Sequence, residues 1–124
     1  MKTVISTEKA PAAIGPYSQG IQAGNLIITS GQLPIDMTTG AFPATIEEQT
    51  RKSLENCKAV LEASGATMEN VIKTTVFLSD MNNFAAMNGV YATFFTGTYP
   101  ARSAVEVARL PKDALVEIEC IAVL

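Results

Sequence analysis

The stretch YPARSAVEVARLPKDALVEIEC, residues 99–120, decides how the rest of the chain is read. Its two ends alternate in the manner of β-strands, and RLPKD between them has the proline and charges of a connection. Along the first run Ser103, Val105 and Val107 share one side, with Arg102, Ala104 and Glu106 on the other. Along the second, Ile118, Cys120, Ala122 and Leu124 lie opposite Glu117, Glu119, Ile121 and Val123. Read as neighbouring strands with their apolar sets turned to the helices, they put an arginine and two carboxylates on one face.

Register decides whether those charges meet. With Ala104 opposite Glu117, Arg102 faces Glu119 and lies diagonal to Glu117, about 7–8 Å away between strand positions. A slip of two residues sets Glu106 against Glu117, a repulsive pair, and carries Arg102 about 13 Å along the strand. The first register is therefore preferred. It admits two readings: a salt-bridged hairpin face, or a receptor. In the receptor, the planar fork of Arg102 holds a ligand carboxylate and a nearby glutamate orients water.

Upstream, NVIKTTVFL (residues 70–78) is rich in β-branched residues and predicts a strand. Asp80 to Asn83 supply helix-capping side chains. Phe84, Met87, Tyr91, Phe94 and Phe95 then recur at helical spacing until Gly97, a core face. Asn88 interrupts that stripe mid-helix, where it has nothing to cap, and predicts a specific hydrogen bond. An earlier helix opens at Pro43-Ala44-Thr45, with Thr45 and Glu48 in capping-box spacing. Its buried stripe runs Ile46, Thr50, Ser53, Leu54, Cys57, Val60, Leu61, Ser64, and Gly65 stops it. NLIITSGQ (residues 25–32) predicts a strand, paired with SQGIQ across the turn at Ala23-Gly24. Ser30-Gly31 ends that strand where glycine permits close backbone approach. Tyr17 follows Gly15-Pro16 in a loop.

The element order read this way is β-β-α-β-α-β-β, an α+β domain over residues 1–124 with two helices on one face of a mixed sheet. A chain of this length has no third layer for the other face, so a partner subunit is the expected cover.

Apolar residues make up 48% of the chain and charged ones only 17%, which excludes disorder. The net charge of −3, without a basic run, argues against a nucleic-acid partner. The amino terminus lacks a signal-like apolar stretch and no segment is built to span a membrane, so no membrane partner and a cytoplasmic location are expected. The chain has no histidine, and Cys57 and Cys120 lack metal-ligand spacing. Ser-His-Asp and Cys-His triads are thereby excluded, as are the usual metal hydrolases; carboxylates, tyrosine or positioned water must supply any acid–base chemistry. The two cysteines are expected to be buried free thiols.

The segments AIGPYSQG, ITSGQLP, SLENCKAVLEASG, KTTVFLSDMNNFAAMN, YPARSAVEVARLPKD and VEIECIAV together closely resemble the RidA family of reactive-intermediate deaminases, also called the YjgF family. The likeness runs from about Thr3 to the end, and Tyr99 to Asp113 is its most specific part. It implies a chorismate-mutase-like α+β domain, assembled as a homotrimer with three sheets forming an inner barrel and active sites between subunits. The activity implied is hydrolysis of 2-imino acids and their enamines (2-aminoacrylate, 2-iminobutanoate, 2-iminopropanoate) to 2-oxo acids and ammonia. Such imines are released by pyridoxal-phosphate enzymes such as threonine or serine dehydratase, and the family needs no cofactor of its own. Matched position by position, the substrate-carboxylate arginine is Arg102 and the glutamate of the attacking water is Glu117, not Glu119. The pocket residues fall on Tyr17, Ser30, Gly31 (through its backbone) and Asn88. Two departures stand out: Ala104 replaces a cysteine that many members carry, and FFTGTYP is shorter than in close relatives. The rival class is a non-catalytic module that binds a 2-oxo acid or another small carboxylate; there Arg102 stays essential and Glu117 does not.

Overall fold

The computed structural model describes all 124 residues. Three short strands come first: β1 (Lys2–Ile5), β2 (Gly20–Ala23) and β3 (Leu26–Thr29). They are followed by α1 (Ile46–Ala63), β4 (Val71–Leu78), α2 (Phe84–Tyr91), β5 (Ala101–Glu106) and β6 (Val116–Val123). The order predicted from sequence therefore lacked one strand, β1. Its four residues include the β-branched run Thr3-Val4-Ile5, but only Ile5 is buried. Pairing with β2, and not its own hydrophobic pattern, makes it a strand.

One sheet holds all six strands in the order β1-β2-β3-β6-β4-β5. β6 runs antiparallel to both β3 and β4, which makes those two parallel to each other, and β4 pairs parallel with β5. The two strand–helix–strand units expected from sequence are thus β3-α1-β4 and β4-α2-β5.

The predicted pairing of the last two strands is incorrect. β4 lies between them, facing β6 through Phe77 opposite Glu117 and Thr75 opposite Glu119. Its other edge meets β5 with Thr74 beside Arg102 and Val76 beside Ala104. A short connection favours a hairpin locally, but β4 offers each strand a full ladder.

Both helices cover one face, as predicted. Thr45 caps α1 by accepting the Glu48 N–H at 3.2 Å, while the Glu48 carboxylate turns to Arg51 at 3.4 Å and leaves the capping box half-made. After the C-cap at Ser64, Gly65 takes the left-handed conformation (φ +87°) that ends the helix. The buried stripe of α1 is the predicted one from Ile46 to Leu61, widened by Gln49 and Asn56; Ser64, predicted to close it, is the half-buried C-cap. Both amides work as staples. Gln49 donates to Pro43 O and accepts the Leu115 N–H, each at 2.8 Å. Asn56 donates to Leu33 O and Ile35 O at 3.0 Å, fixing the loop after β3.

Beneath α1, the alternate residues Val116, Ile118, Cys120 and Ala122 of β6 are fully buried. Cys57 and Cys120 are buried free thiols, as expected. Burial, reinforced by neighbouring Cys120, pushes the Cys57 thiol well above its usual range, so it packs as a small apolar group. On the opposite face of the sheet no helix packs, and Val4, Leu26, Ile28 and Val105 are exposed. No helix is long and apolar enough to cross a membrane.

Leu54 is wholly buried within the core. Leu54→Ala should cost about 2–5 kcal/mol. Urea unfolding should show a lower midpoint with an unchanged slope.

Candidate active site

Ser30 and Gly31 leave the end of β3 and are held there by neighbours on two sides. Ser30 donates its N–H to Gln19 O at 2.8 Å and its hydroxyl to Ser18 O at 2.5 Å. Gln32 then bridges to β6, exchanging backbone bonds with Ile118. Gly31, between these anchors, lies directly against Glu117. A Cβ at this position would sit 2.9 Å from Glu117 Cδ and 3.2 Å from its Cγ and Oε1. The close approach predicted at Gly31 is therefore to a carboxylate.

Glu117 is half-buried and projects from the uncovered face of β6 into a cleft of about 680 Å³. Tyr17, Ser30, Gly31 and Glu119 also line it. Ile14, Leu33, Ile35 and Phe77 supply the apolar part of its wall. Burial first, and the like charge of Glu119 second, raise the Glu117 pKa above the ordinary glutamate range. Tyr17 stands exposed at the mouth, its hydroxyl accepting a long 3.4 Å bond from the Ile14 N–H. The rim includes Lys112, which with Asp113 takes a left-handed backbone (φ 55° and 58°). Arg109 grips the Asp113 carboxylate with two bonds of 2.8 and 3.3 Å, holding that turn.

Buried Gln19, which sequence reasoning missed, ties down the loop that forms one side of the cleft. Its amide donates to Thr7 O, Ala10 O and Pro11 O, and accepts the Thr7 N–H at 2.7 Å. A lone glutamine in a loop carries no sequence signal for this role; only the convergence of carbonyls around it does.

Arg102 occupies a different place. The parallel register sets it beside Thr74, on the face that α2 covers. It lines a second hollow of about 430 Å³ with Asn88, Tyr91 and Tyr99. Its Nη1 donates to Asn88 Oδ1 at 2.7 Å, which is the specific bond predicted for Asn88. The guanidinium carbon lies 4.8 Å from the Tyr91 ring centroid and 5.3 Å from that of Phe84.

The expectation that Arg102 shares a face with Glu117 and Glu119 is overturned. Arg102 and Ala104 turn toward the helices, and Ser103 and Val105 take the uncovered face, the reverse of the predicted sides. Inserting β4 breaks the direct pairing from which those sides were assigned. The chain's ion pairs are Arg51–Glu48, Lys52–Glu55 and Arg109–Asp113, so the salt-bridged hairpin is excluded as well. Tyr17, Ser30, Gly31 and Glu117 come together in one place, Asn88 and Arg102 in another, on opposite sides of the sheet. The first group can orient water through a carboxylate, and the second can hold an anion through a guanidinium.

The model of the Endoribonuclease L-PSP family matches residues 7–124. A 2-iminobutanoate/2-iminopropanoate deaminase of Escherichia coli (strain K12) is 56% identical over 126 residues, covering 99% of this chain and 98% of that protein. Among solved structures, the YjgF gene product of E. coli has a TM-score of 0.95 at 56% identity, covering 98% of each chain. E. coli TdcF with bound serine has a TM-score of 0.95 at 51% identity, again covering 98% of each.

Because the folded state raises the Glu117 pKa, the stability this group contributes is full below its unfolded value and is lost as pH rises through its folded value. Glu117→Gln should therefore gain stability relative to the parent at neutral pH, with the gain shrinking as pH falls. In carbon-detected NMR titrations Glu117 should titrate above the ordinary glutamate range. Glu119→Gln should bring it partway down, since burial remains. A Glu117 that titrates within the ordinary glutamate range would refute the assignment.

Proposed function

The chain belongs to the RidA (YjgF) family, which the Endoribonuclease L-PSP model describes, and we propose that it hydrolyses reactive 2-imino acids and their enamines to 2-oxo acids and ammonia. Full-length identity of 56% to deaminases of that specificity carries this reading. A guanidinium and a raised-pKa carboxylate in the chain supply the groups the reaction needs. The serine held by TdcF is a small amino acid carboxylate, matching the ligand chemistry assigned here.

Arg102 clamps the substrate carboxylate and the Gly31 amide helps fix it. Glu117 aligns a water on the imine carbon and accepts its proton as the C–O bond forms. That proton passes to the nitrogen of the carbinolamine; the C–N bond then breaks, Glu117 takes the hydroxyl proton as the carbonyl forms, and ammonia leaves. A protonated imine is already electrophilic, so the site contributes mainly position and a base. The raised pKa of Glu117 brings its basicity closer to neutral pH. Tyr17, Ser30 and Asn88 shape and support the two halves. Glu119 acts on Glu117 by charge.

One chain cannot apply Arg102 and Glu117 to a single small molecule, because they project from opposite sides of the sheet. The working site therefore pairs Arg102 of one copy with Glu117 of another, in the homotrimer implied by the family resemblance. The exposed apolar set Val4, Leu26, Ile28 and Val105 supplies a surface for that assembly. The imines come from pyridoxal-phosphate dehydratases, and the protein removes them in the same compartment. Two free thiols suit the reducing cytoplasm. An RNA substrate fits poorly: the net charge is −3 and two carboxylates line the cleft.

Coupling the protein to threonine dehydratase and following 2-oxobutanoate tests the activity. Arg102→Ala should abolish most of the acceleration, and Glu117→Gln should lower kcat by about 100-fold or more. Full acceleration by Arg102→Ala would sink the clamp; ligand binding without acceleration by the parent protein would leave only a binding module. Co-refolding Arg102→Ala with Glu117→Gln chains should restore about a quarter of the parental sites, because a cyclic assembly then forms some interfaces with both residues intact. No recovery would refute the split site.

A further inference from the structure

Resting on the assignment of Arg102 as the carboxylate clamp, we infer that Tyr91, held by Thr74, is a positioning residue that sets the plane and reach of the Arg102 guanidinium before substrate arrives. The contacts form a closed loop. Thr74 is the register partner of Arg102 across β4 and β5, so it sets where the arginine's backbone sits. The hydroxyl of the same Thr74 shares a buried 2.6 Å hydrogen bond with the Tyr91 hydroxyl. The ring anchored by that bond places its centroid 4.8 Å from the guanidinium carbon.

Two further residues of α2 complete the cradle. Phe84 presents its ring at 5.3 Å, and Asn88 takes an Nη1 proton at 2.7 Å. Positions 84, 88 and 91 follow the i, i+4, i+7 spacing of one helical stripe, so the whole length of α2 meets one guanidinium. The rings define its plane and Asn88 its rotation within that plane, leaving the other N–H groups for a ligand. An unrestrained arginine on an edge strand would sample many rotamers, and freezing them on binding would weaken affinity. The cradle removes that loss in advance. Burial raises the Tyr91 pKa despite the opposing effects of the Thr74 bond and the Arg102 charge, so the phenol keeps its proton and its bond at neutral pH.

A tyrosine that merely fills the core and one that orients Arg102 differ in how they couple to Arg102. Steady-state kinetics with 2-iminobutanoate generated in place, together with calorimetric binding of 2-oxobutanoate, separates them. Tyr91→Phe keeps the ring but loses its bond to Thr74, and should raise KM by about threefold, less than Tyr91→Leu. Tyr91→Leu should raise KM, and the Kd for 2-oxobutanoate, by about 3- to 30-fold with a much smaller change in kcat. Added to Arg102→Ala, Tyr91→Leu should have no further effect. Phe84→Leu, at a half-buried position, should follow the same pattern and serves if Tyr91→Leu folds poorly. A fall in kcat at unchanged KM, or losses that multiply with Arg102→Ala, would overturn the inference. Parental kinetics in Arg102→Ala alone would remove the clamp itself, a separate failure that leaves Tyr91 nothing to position.

Discussion

The placement of β6 between β3 and β4 is the constraint on which the rest depends. Both edges of this strand are spent on ladders, so β5 is excluded from it and must add to the far side of β4. Alternate residues of β6 then divide strictly: Val116, Ile118, Cys120 and Ala122 close the core against α1, while Glu117 and Glu119 stand on the uncovered face. A carboxylate on a central strand is partly desolvated by the strands beside it, which is why Glu117 has a raised pKa while still reaching a cleft.

Side-chain amides extend that framework into the loops. Gln19 gathers the segment from Thr7 to Pro11, Gln49 links the chain before α1 to the approach to β6, and Asn56 pins the loop after β3. Each satisfies backbone groups that would otherwise be costly to bury. Together they let segments without regular structure form the walls of the cleft, and they let the Gly31 backbone rest against Glu117 so closely that a Cβ there would displace the Glu117 side chain.

Much of the fold was legible because its signals are local. Both helices, the caps of α1, most of its core stripe and the strand β4 follow from 3.6- and 2-residue periodicities and short-range capping chemistry. Asn83, by contrast, makes no side-chain cap bond to α2, which ends at Tyr91, short of Gly97. The strand β1 was not, because four largely exposed residues carry little pattern. At the site, glycine at position 31 and a lone asparagine in an aromatic stripe were informative residue types, and each proved to have a specific contact. Phe84 and Tyr91 were legible only as core, since the same spacing serves packing and cation binding equally.

The sequence by itself determined which residues are chemically equipped: an arginine and a glutamate without histidine, on strands of known alternation, in a chain whose motifs resemble an imine-hydrolysing family. Tertiary structure alone decided where they point. Alternation assigns residues to two sides of a strand but cannot say which side meets the helices, because that depends on the strand's neighbours and their register. Here β4 intervenes, the parallel register aligns Arg102 with Thr74, and the guanidinium turns to α2 while Glu117 faces away. Long-range strand order, which no local pattern encodes, is the physical reason the two halves of the site lie apart in one chain.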